Sequence, residues 1–268
     1  MLNNKISFIG GGNMAEGIIR GLISTSVLSS DNIKVYDILE ERLEYLYNTY
    51  KVHYSTTAAD AAKNADVLFI AVRPQDIFKV TESLKDSISE NTTIISICAG
   101  IKLEKLKELF GANHKLVRVM PNTMIDVQHG YSAVSTNDKV SKEDKAIVQT
   151  ILSSLGQTMF LQENMFNAFT AYSCAGPAYV MYFIAGLIDA GVQSGFSRKD
   201  ATSIALENII ASALTIKETG KHPYQITDSM TSPAGITIDG LHYLSEAGFH
   251  GIVMSSVKSA LNRTNELE

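Results

Sequence analysis

Short, mostly apolar runs recur along the first part of the chain, separated by stretches whose apolar positions return every three or four residues. The runs are Ile6–Ile9, Ile33–Tyr36, Asp66–Val72 (DVLFIAV), Thr92–Cys98 (TTIISIC) and Lys115–Met120 (KLVRVM). An apolar run without alternation suits a strand covered on both faces. The stretches between them predict helices over residues 39–50, with Leu43 and Leu46 inward, over 75–88 and over 102–110. Strands alternating with helices of this length predict an α/β fold, a Rossmann-like, doubly wound parallel sheet. Gly130–Ser135 and Thr158–Leu161 read as later strands flanking a helix that starts at a capping box, Ser141 to Asp144.

Beyond residue 163 the strand pattern stops. Helices are predicted over 164–172, 177–194, 198–219, 223–230, 233–247 and 251–262, several of them opened by a serine cap or by proline at the first position. This divides the chain into a dinucleotide-binding domain, 1–163, and an all-α domain, 164–268. The segment AYVMYFIAGLI is apolar on every side, so its helix needs enclosure, and about 100 residues of helix have difficulty burying such faces alone. Interlocking with a second copy as a homodimer solves this; helices that simply cover the sheet domain are the alternative.

The turn after the first run carries the first chemistry. Gly10-Gly11-Gly12-Asn13-Met14-Ala15 fits G-x-G-x-x-G/A between a strand and a helix. Gly10 permits the tight turn, Gly12 lets a pyrophosphate approach the backbone, and Ala15 keeps helix and strand close. The second strand ends in Asp37, about 20 residues on, as a dinucleotide fingerprint asks. A carboxylate there accepts hydrogen bonds from a ribose diol and repels a 2′-phosphate, which tilts the expectation toward NADH over NADPH. The other reading of Asp37 is a solvent-facing helix cap.

In a doubly wound sheet, ligands bind beyond the carboxyl ends of the strands. The stretches at those ends, besides the glycine turn and Asp37, are Ala71-Val72-Arg73-Pro74, Cys98-Ala99-Gly100 and Pro121-Asn122-Thr123. Two stretches of the helical part also stand out. Ser173-Cys174-Ala175-Gly176-Pro177 launches the most apolar helix, and Thr231-Ser232-Pro233-Ala234-Gly235-Ile236-Thr237 offers hydroxyls and N–H groups to a carboxylate.

Composition narrows the remaining choices. The hydrophobic content of 45% and charged content of 19% are ordinary for a soluble protein, and a net charge of −5 without a basic run excludes nucleic acid as the expected partner. The longest apolar run, Ala178–Ile188, is too short to span a bilayer, so no membrane role is expected. Two distant cysteines and no charged-then-apolar leader predict a cytoplasmic protein. The six histidines are scattered, no metal spacing occurs, and no nucleophile–base pair is evident. A dinucleotide site with a small anion site and little acid–base equipment suits hydride transfer to a substrate already activated.

Taken together, residues 8–22, Ala71-Val72-Arg73-Pro74, Met120-Pro121-Asn122-Thr123, SCAGPAY and TSPAGIT resemble pyrroline-5-carboxylate reductase over nearly the whole chain. The resemblance implies reduction of Δ1-pyrroline-5-carboxylate to L-proline with NADPH or NADH, and a helical domain that forms dimers and often decamers. It implies cofactor contacts at Gly10, Gly11, Gly12, Asn13, Met14, Asp37, Ala71, Val72, Arg73, Pro74, Cys98, Ala99, Gly100 and Asn122. It places the substrate carboxylate at Ser232, Gly235, Ile236 and Thr237, with the Thr237 hydroxyl near the ring nitrogen and Ser173, Gly176 and Pro177 close by. Ser232 and Thr237 are thus the implied catalytic residues. The chain departs from the family pattern at Cys174 and Ala175, at Ala234, at Ile236 and at Met124. A methyl at 234 costs free energy if that position needs φ > 0. A reductase of a related imine such as pyrroline-2-carboxylate, and a regulatory paralogue without turnover, remain alternatives. A 3-hydroxyacid dehydrogenase does not fit, because residues 164–193 contain no lysine.

Overall fold

The structure is a computed structural model that describes residues 1–84 and 86–266. Lys85, inside the expected helix 75–88, and residues 267–268, at the end of the expected helical domain, lie outside the described residues. The chain forms two compact units, Met1–Cys174 with Thr264–Glu268, and Ala175–Arg263.

The first unit is built on eight strands: β1 Ile6–Ile9, β2 Ile33–Tyr36, β3 His53–Tyr54, β4 Val67–Ile70, β5 Thr93–Ser96, β6 Lys115–Pro121, β7 Gly130–Thr136 and β8 Gly156–Phe160. They form one sheet in the order β3-β2-β1-β4-β5-β6-β7-β8. Helices α1 (Asn13–Ser24), α2 (Glu40–Tyr50), α3 (Ala58–Ala62), α4 (Ile77–Leu84), α5 (Leu103–Phe110), α6 (Lys142–Ser153) and α7 (Phe166–Phe169) complete the unit. The sheet carries an apolar cluster on each face. One gathers Ile6, Phe8, Ile18, Leu22 and Leu46, the other Ile9, Leu68, Ile70, Ile94 and Leu106. Both faces being covered is why β1 and β4 read as unbroken apolar runs.

Two features depart from the expected pattern. β7 runs antiparallel to β6. Only residues 122–129 link them, too few for a parallel crossover, which needs a dozen or more. The short β3 and α3 also escape the reading, since two exposed residues and a five-residue AADAA helix carry no periodicity. The capping box is present as expected: the Ser141 hydroxyl accepts from Asp144 N–H, and the Asp144 carboxylate accepts from Ser141 N–H at 2.9 Å.

The second unit is all helical: α8 Gly176–Gln193, α9 Arg198–Thr219, α10 Pro223–Met230, α11 Ile236–Glu246 and α12 Phe249–Glu266, the last running past Arg263. Gly191 lets α8 and α9 approach, since a Cβ there would lie 2.8 Å from the Ala201 Cβ. Among the described residues of this unit only Ala201 and Ala205 are buried. Tyr182 is 85% exposed and Met254 74%, with Met181, Ile210 and Tyr243 also open. Such an area of apolar surface marks an interaction face. The longer helical stretch Glu163–Gln193 is, by length and composition alone, apolar enough to cross a membrane; the run Ala178–Ile188 looked too short because the helical residues preceding it were counted apart.

Candidate active site

The carboxyl ends of β1, β2, β4, β5 and β6 point the same way, because these strands pair in parallel. The sheet therefore brings the turns at Gly10, Asp37, Ala71, Cys98 and Asn122 to one edge. At Gly10, φ is +102° and a Cβ would lie 2.4 Å from the Ala71 carbonyl oxygen, so only glycine fits. Gly12 differs: a Cβ there would meet nothing within 4 Å. The fold itself does not demand a glycine at 12, whereas a ligand lying on the backbone does. Gly12 is also the N-cap of α1, with no side chain capping it, so the first-turn N–H groups at Asn13 and Met14 are left for an external anion. These residues fit a pyrophosphate.

The β4 and β5 turns form the neighbouring wall. Val72 is half-buried, and the exposed Arg73 turns onto Asp76 at 2.7 Å, followed by Pro74. The Cys98 thiol is buried and donates to the Val72 carbonyl at 3.2 Å; burial pushes it above its ordinary pKa, as hydrogen bonding from Ser96 and Val72 only partly opposes. It is a packing group joining two turns. Ala99 and Gly100 are exposed, Gly100 with φ +74° and open space where a Cβ would stand.

Asp37 stands at the end of β2, beside the glycine turn. Its Oδ2 accepts the Gly11 N–H at 2.7 Å and its Oδ1 the Leu39 N–H at 3.0 Å, so the carboxylate is fixed against the glycine turn. Arg42, in the first turn of α2, turns back onto the glycine turn. Its Nε donates to the Gly11 carbonyl and its Nη2 pairs with Glu16, while its guanidinium lies 5.0 Å from the Tyr45 ring centroid. Glu16 also accepts from Tyr45 Oη at 3.0 Å and Tyr50 Oη at 2.8 Å. Sequence reading missed this group: its members lie 26 to 34 residues apart, and only the tertiary fold of α1 on α2 assembles them.

Asn122, buried, holds the turn after β6. Its Oδ1 accepts from Met124 N–H at 3.1 Å and Tyr131 N–H at 3.2 Å, and its Nδ2 donates to the Ser173 carbonyl and hydroxyl, each at 3.3 Å. Ser173 sits in a π-helical turn, Thr170–Cys174, a rare geometry that often marks functional positions. Beside it the Cys174 thiol lies 3.8 Å from the Pro121 carbonyl, and burial pushes it up to about 11, so it stays protonated.

In the second unit, Gly176 and Pro177 open α8, and the Ser232 turn opens α11. Helix α11 begins at Ile236 rather than at Pro233, because residues 232–235 close a turn in which Gly235 N–H reaches the Ser232 carbonyl at 3.0 Å. Ala234 takes φ +56° there, the left-handed conformation that glycine adopts without cost. No side chain caps α11. Ser232, Ile236 and Thr237 are exposed, so two hydroxyls and the first-turn N–H groups face out together.

The chain matches known proteins along its whole length. A family model described as pyrroline-5-carboxylate reductase dimerisation matches residues 163–267, and one described as NADP oxidoreductase, coenzyme F420-dependent, matches residues 5–100. A pyrroline-5-carboxylate reductase of Arabidopsis thaliana is 37% identical over 98% of this chain and 95% of its own length. The chain belongs to the pyrroline-5-carboxylate reductase family. Among solved structures, a pyrroline-5-carboxylate reductase of Coxiella burnetii superposes with a TM-score of 0.93 at 29% identity, covering 100% of this chain and 99% of that one. A pyrroline carboxylate reductase of Plasmodium falciparum with NADP bound gives 0.86 at 31% identity, covering 98% of each. The family thus supplies a meaning for the unburied helices: the second unit falls within the matched dimerisation region.

Proposed function

We propose that this protein reduces Δ1-pyrroline-5-carboxylate to L-proline with NAD(P)H, the last step of proline synthesis. The observation that carries the reading is the uncapped glycine turn of the first unit, open over Gly12; the second unit separately offers an uncapped helix start flanked by Ser232 and Thr237. Family membership over nearly the full chain supports it.

The nicotinamide, when bound, supplies the hydride. Gly10 and Gly11 shape the turn, their N–H groups bonded to the Tyr36 carbonyl and to Asp37; Gly12, Asn13 and Met14 hold the pyrophosphate by backbone N–H groups, and Asp37 meets the ribose. Ala71, Val72, Arg73, Pro74, Cys98, Ala99 and Gly100 form the wall along the rest of the cofactor. Asn122 sets the turn beside Ser173. The substrate carboxylate is held by the Ser232 hydroxyl and the N–H groups of Gly235, Ile236 and Thr237, with Gly176 and Pro177 at the α8 start completing the substrate contacts. The Thr237 hydroxyl hydrogen-bonds the ring nitrogen. A protonated cyclic imine is already electrophilic at carbon, so no strong enzymic acid is required and proximity and orientation supply most of the acceleration.

The exposed apolar face of α8–α12 is covered by a second copy, giving a homodimer through the helical domain, with further assembly to a decamer. This also accounts for the apolar stretch 163–193 without a bilayer, and a cytoplasmic location follows the same reading. Light scattering on the purified protein tests the assembly. The test of activity is oxidation of NADH and NADPH, each assayed separately with pyrroline-5-carboxylate and with proline measured as product. Cofactor binding without proline formation contradicts the reading. Because the chain departs from the family pattern at Ile236, in the substrate turn, pyrroline-2-carboxylate is the second substrate to include.

A further inference from the structure

A carboxylate one turn into the helix that receives a pyrophosphate is an awkward neighbour for that anion. Glu16 occupies this place, in the first turn of α1, and it is only partly exposed. Three side chains converge on it: Arg42, Tyr45 and Tyr50. Burial pushes its carboxyl up, but the hydrogen bonds from Arg42, Tyr50 and Tyr45 outweigh that and hold it below the ordinary carboxylate value, so it is charged at neutral pH.

Arg42 shares an anchor with Asp37. Asp37 accepts the N–H of Gly11 and Arg42 donates to the carbonyl of the same residue, so cation and ribose-binding carboxylate are tied to the two ends of one residue. An uncovered guanidinium there would attract a 2′-phosphate, because arginine matches phosphate geometry. It is covered instead: Glu16 takes Nη2, Gly11 takes Nε, and Tyr45 lies alongside the guanidinium plane. The formal charges of Asp37, Arg42 and Glu16 sum to −1, and Glu40 and Glu41 open α2 next to them.

We propose that Glu16 is a specificity-determining residue: by covering the charge of Arg42 it keeps the Asp37 corner negative, favouring a free ribose diol over a 2′-phosphate. This rests on the reading of the glycine turn as the cofactor site. It makes cofactor choice in this chain depend on a residue that touches neither the ribose nor the β2 turn, acting through Arg42 as a positioning residue.

The test compares dissociation constants of NADH and NADPH, measured by nucleotide fluorescence, for the intact protein, Glu16→Gln, Arg42→Gln and the double variant. Glu16→Gln removes the cover and should shift the NADPH/NADH affinity ratio toward NADPH by about five- to tenfold, the scale of one unit charge at a partly buried site. Arg42→Gln alone leaves the Glu16 charge unopposed and should weaken both cofactors, NADPH the more because of its additional 2′-phosphate charge, so the NADPH/NADH affinity ratio falls. The double variant carries the parent's net charge at this corner, and its ratio should return to within about twofold of the parent's. An unchanged ratio in Glu16→Gln, a ratio that does not fall in Arg42→Gln, or a Glu16→Gln gain that persists in the double variant overturns the proposal. If Glu16→Gln does not fold, the Arg42→Gln ratio still decides. Failure of the intact protein to bind either nucleotide would instead overturn the cofactor reading itself, a separate outcome.

Discussion

Replacing Gly235 with alanine isolates the contribution of Ser232 to the anion-binding turn. Gly235 has φ −84°, which any residue adopts, so an added methyl brings no backbone strain. What it brings is a collision: the Cβ would stand 2.4 Å from the Ser232 hydroxyl oxygen and 3.0 Å from its carbonyl oxygen. The hydroxyl, at the end of a short rotatable side chain, is the group that must swing away. If that hydroxyl bonds the substrate carboxylate, the loss is a hydrogen bond to a charged group, roughly 1.5–3 kcal/mol, or about 10- to 150-fold in kcat/KM for the imine. The assay is steady-state kinetics at saturating cofactor, beside cofactor affinity measured by fluorescence. Imine kcat/KM should fall within that range while cofactor affinity holds. In a Ser232→Ala background the alanine at 235 should have little further effect, because its target oxygen is gone. Penalties that add in full, or an equal loss of cofactor affinity, would refute the placement of the carboxylate at this turn.

Three other outcomes follow from the same geometry. Thr237→Ala should lower turnover and leave cofactor affinity intact, as equilibrium fluorescence and initial rates will show; equal losses in both would indicate a folding role. Ala234→Gly relieves a left-handed alanine, worth about 1–2 kcal/mol, against about 0.4–1 kcal/mol of added freedom in the unfolded chain, so the melting temperature should rise by about 1–4 °C in calorimetry. At Asp144, burial pushes the carboxyl up, but hydrogen bonds from Lys115 at 2.9 Å and from Ser141 outweigh it and lower its pKa. A depressed folded-state pKa means stability present above the ordinary value of 3.8 and lost as pH falls through the folded value. Asp144→Asn should therefore be less stable than the parent in urea at pH 7, with the gap closing as the pH falls below 3.8 and through the lower folded-state value.

Much of the fold and site could be read from the residues because the relevant signals are local. The runs at Ile6, Val67 and Ile94 send apolar side chains to both faces since both sheet faces are covered, and the caps at Ser141 and Ser197 lie three residues from their partners. Gly10 and Gly12 stand at fixed spacing in the turn they make. The reversal of β7, by contrast, depends on which edge a short link can reach, and the hydrogen bond from Asn122 to Ser173, in the π-helical turn Thr170–Cys174, spans 51 residues. The Glu16–Arg42 group is likewise invisible until α1 and α2 pack on one sheet face. Ala234 was readable only through the family pattern, since nothing in its own neighbourhood announces a left-handed residue.

The most direct measurement is a crystal structure of the protein with NADP⁺ and L-proline. The account predicts the nucleotide on the glycine turn, with the proline carboxylate bonded to the Ser232 hydroxyl and to N–H groups of Gly235, Ile236 or Thr237. Proline ordered at a place remote from both turns would contradict it.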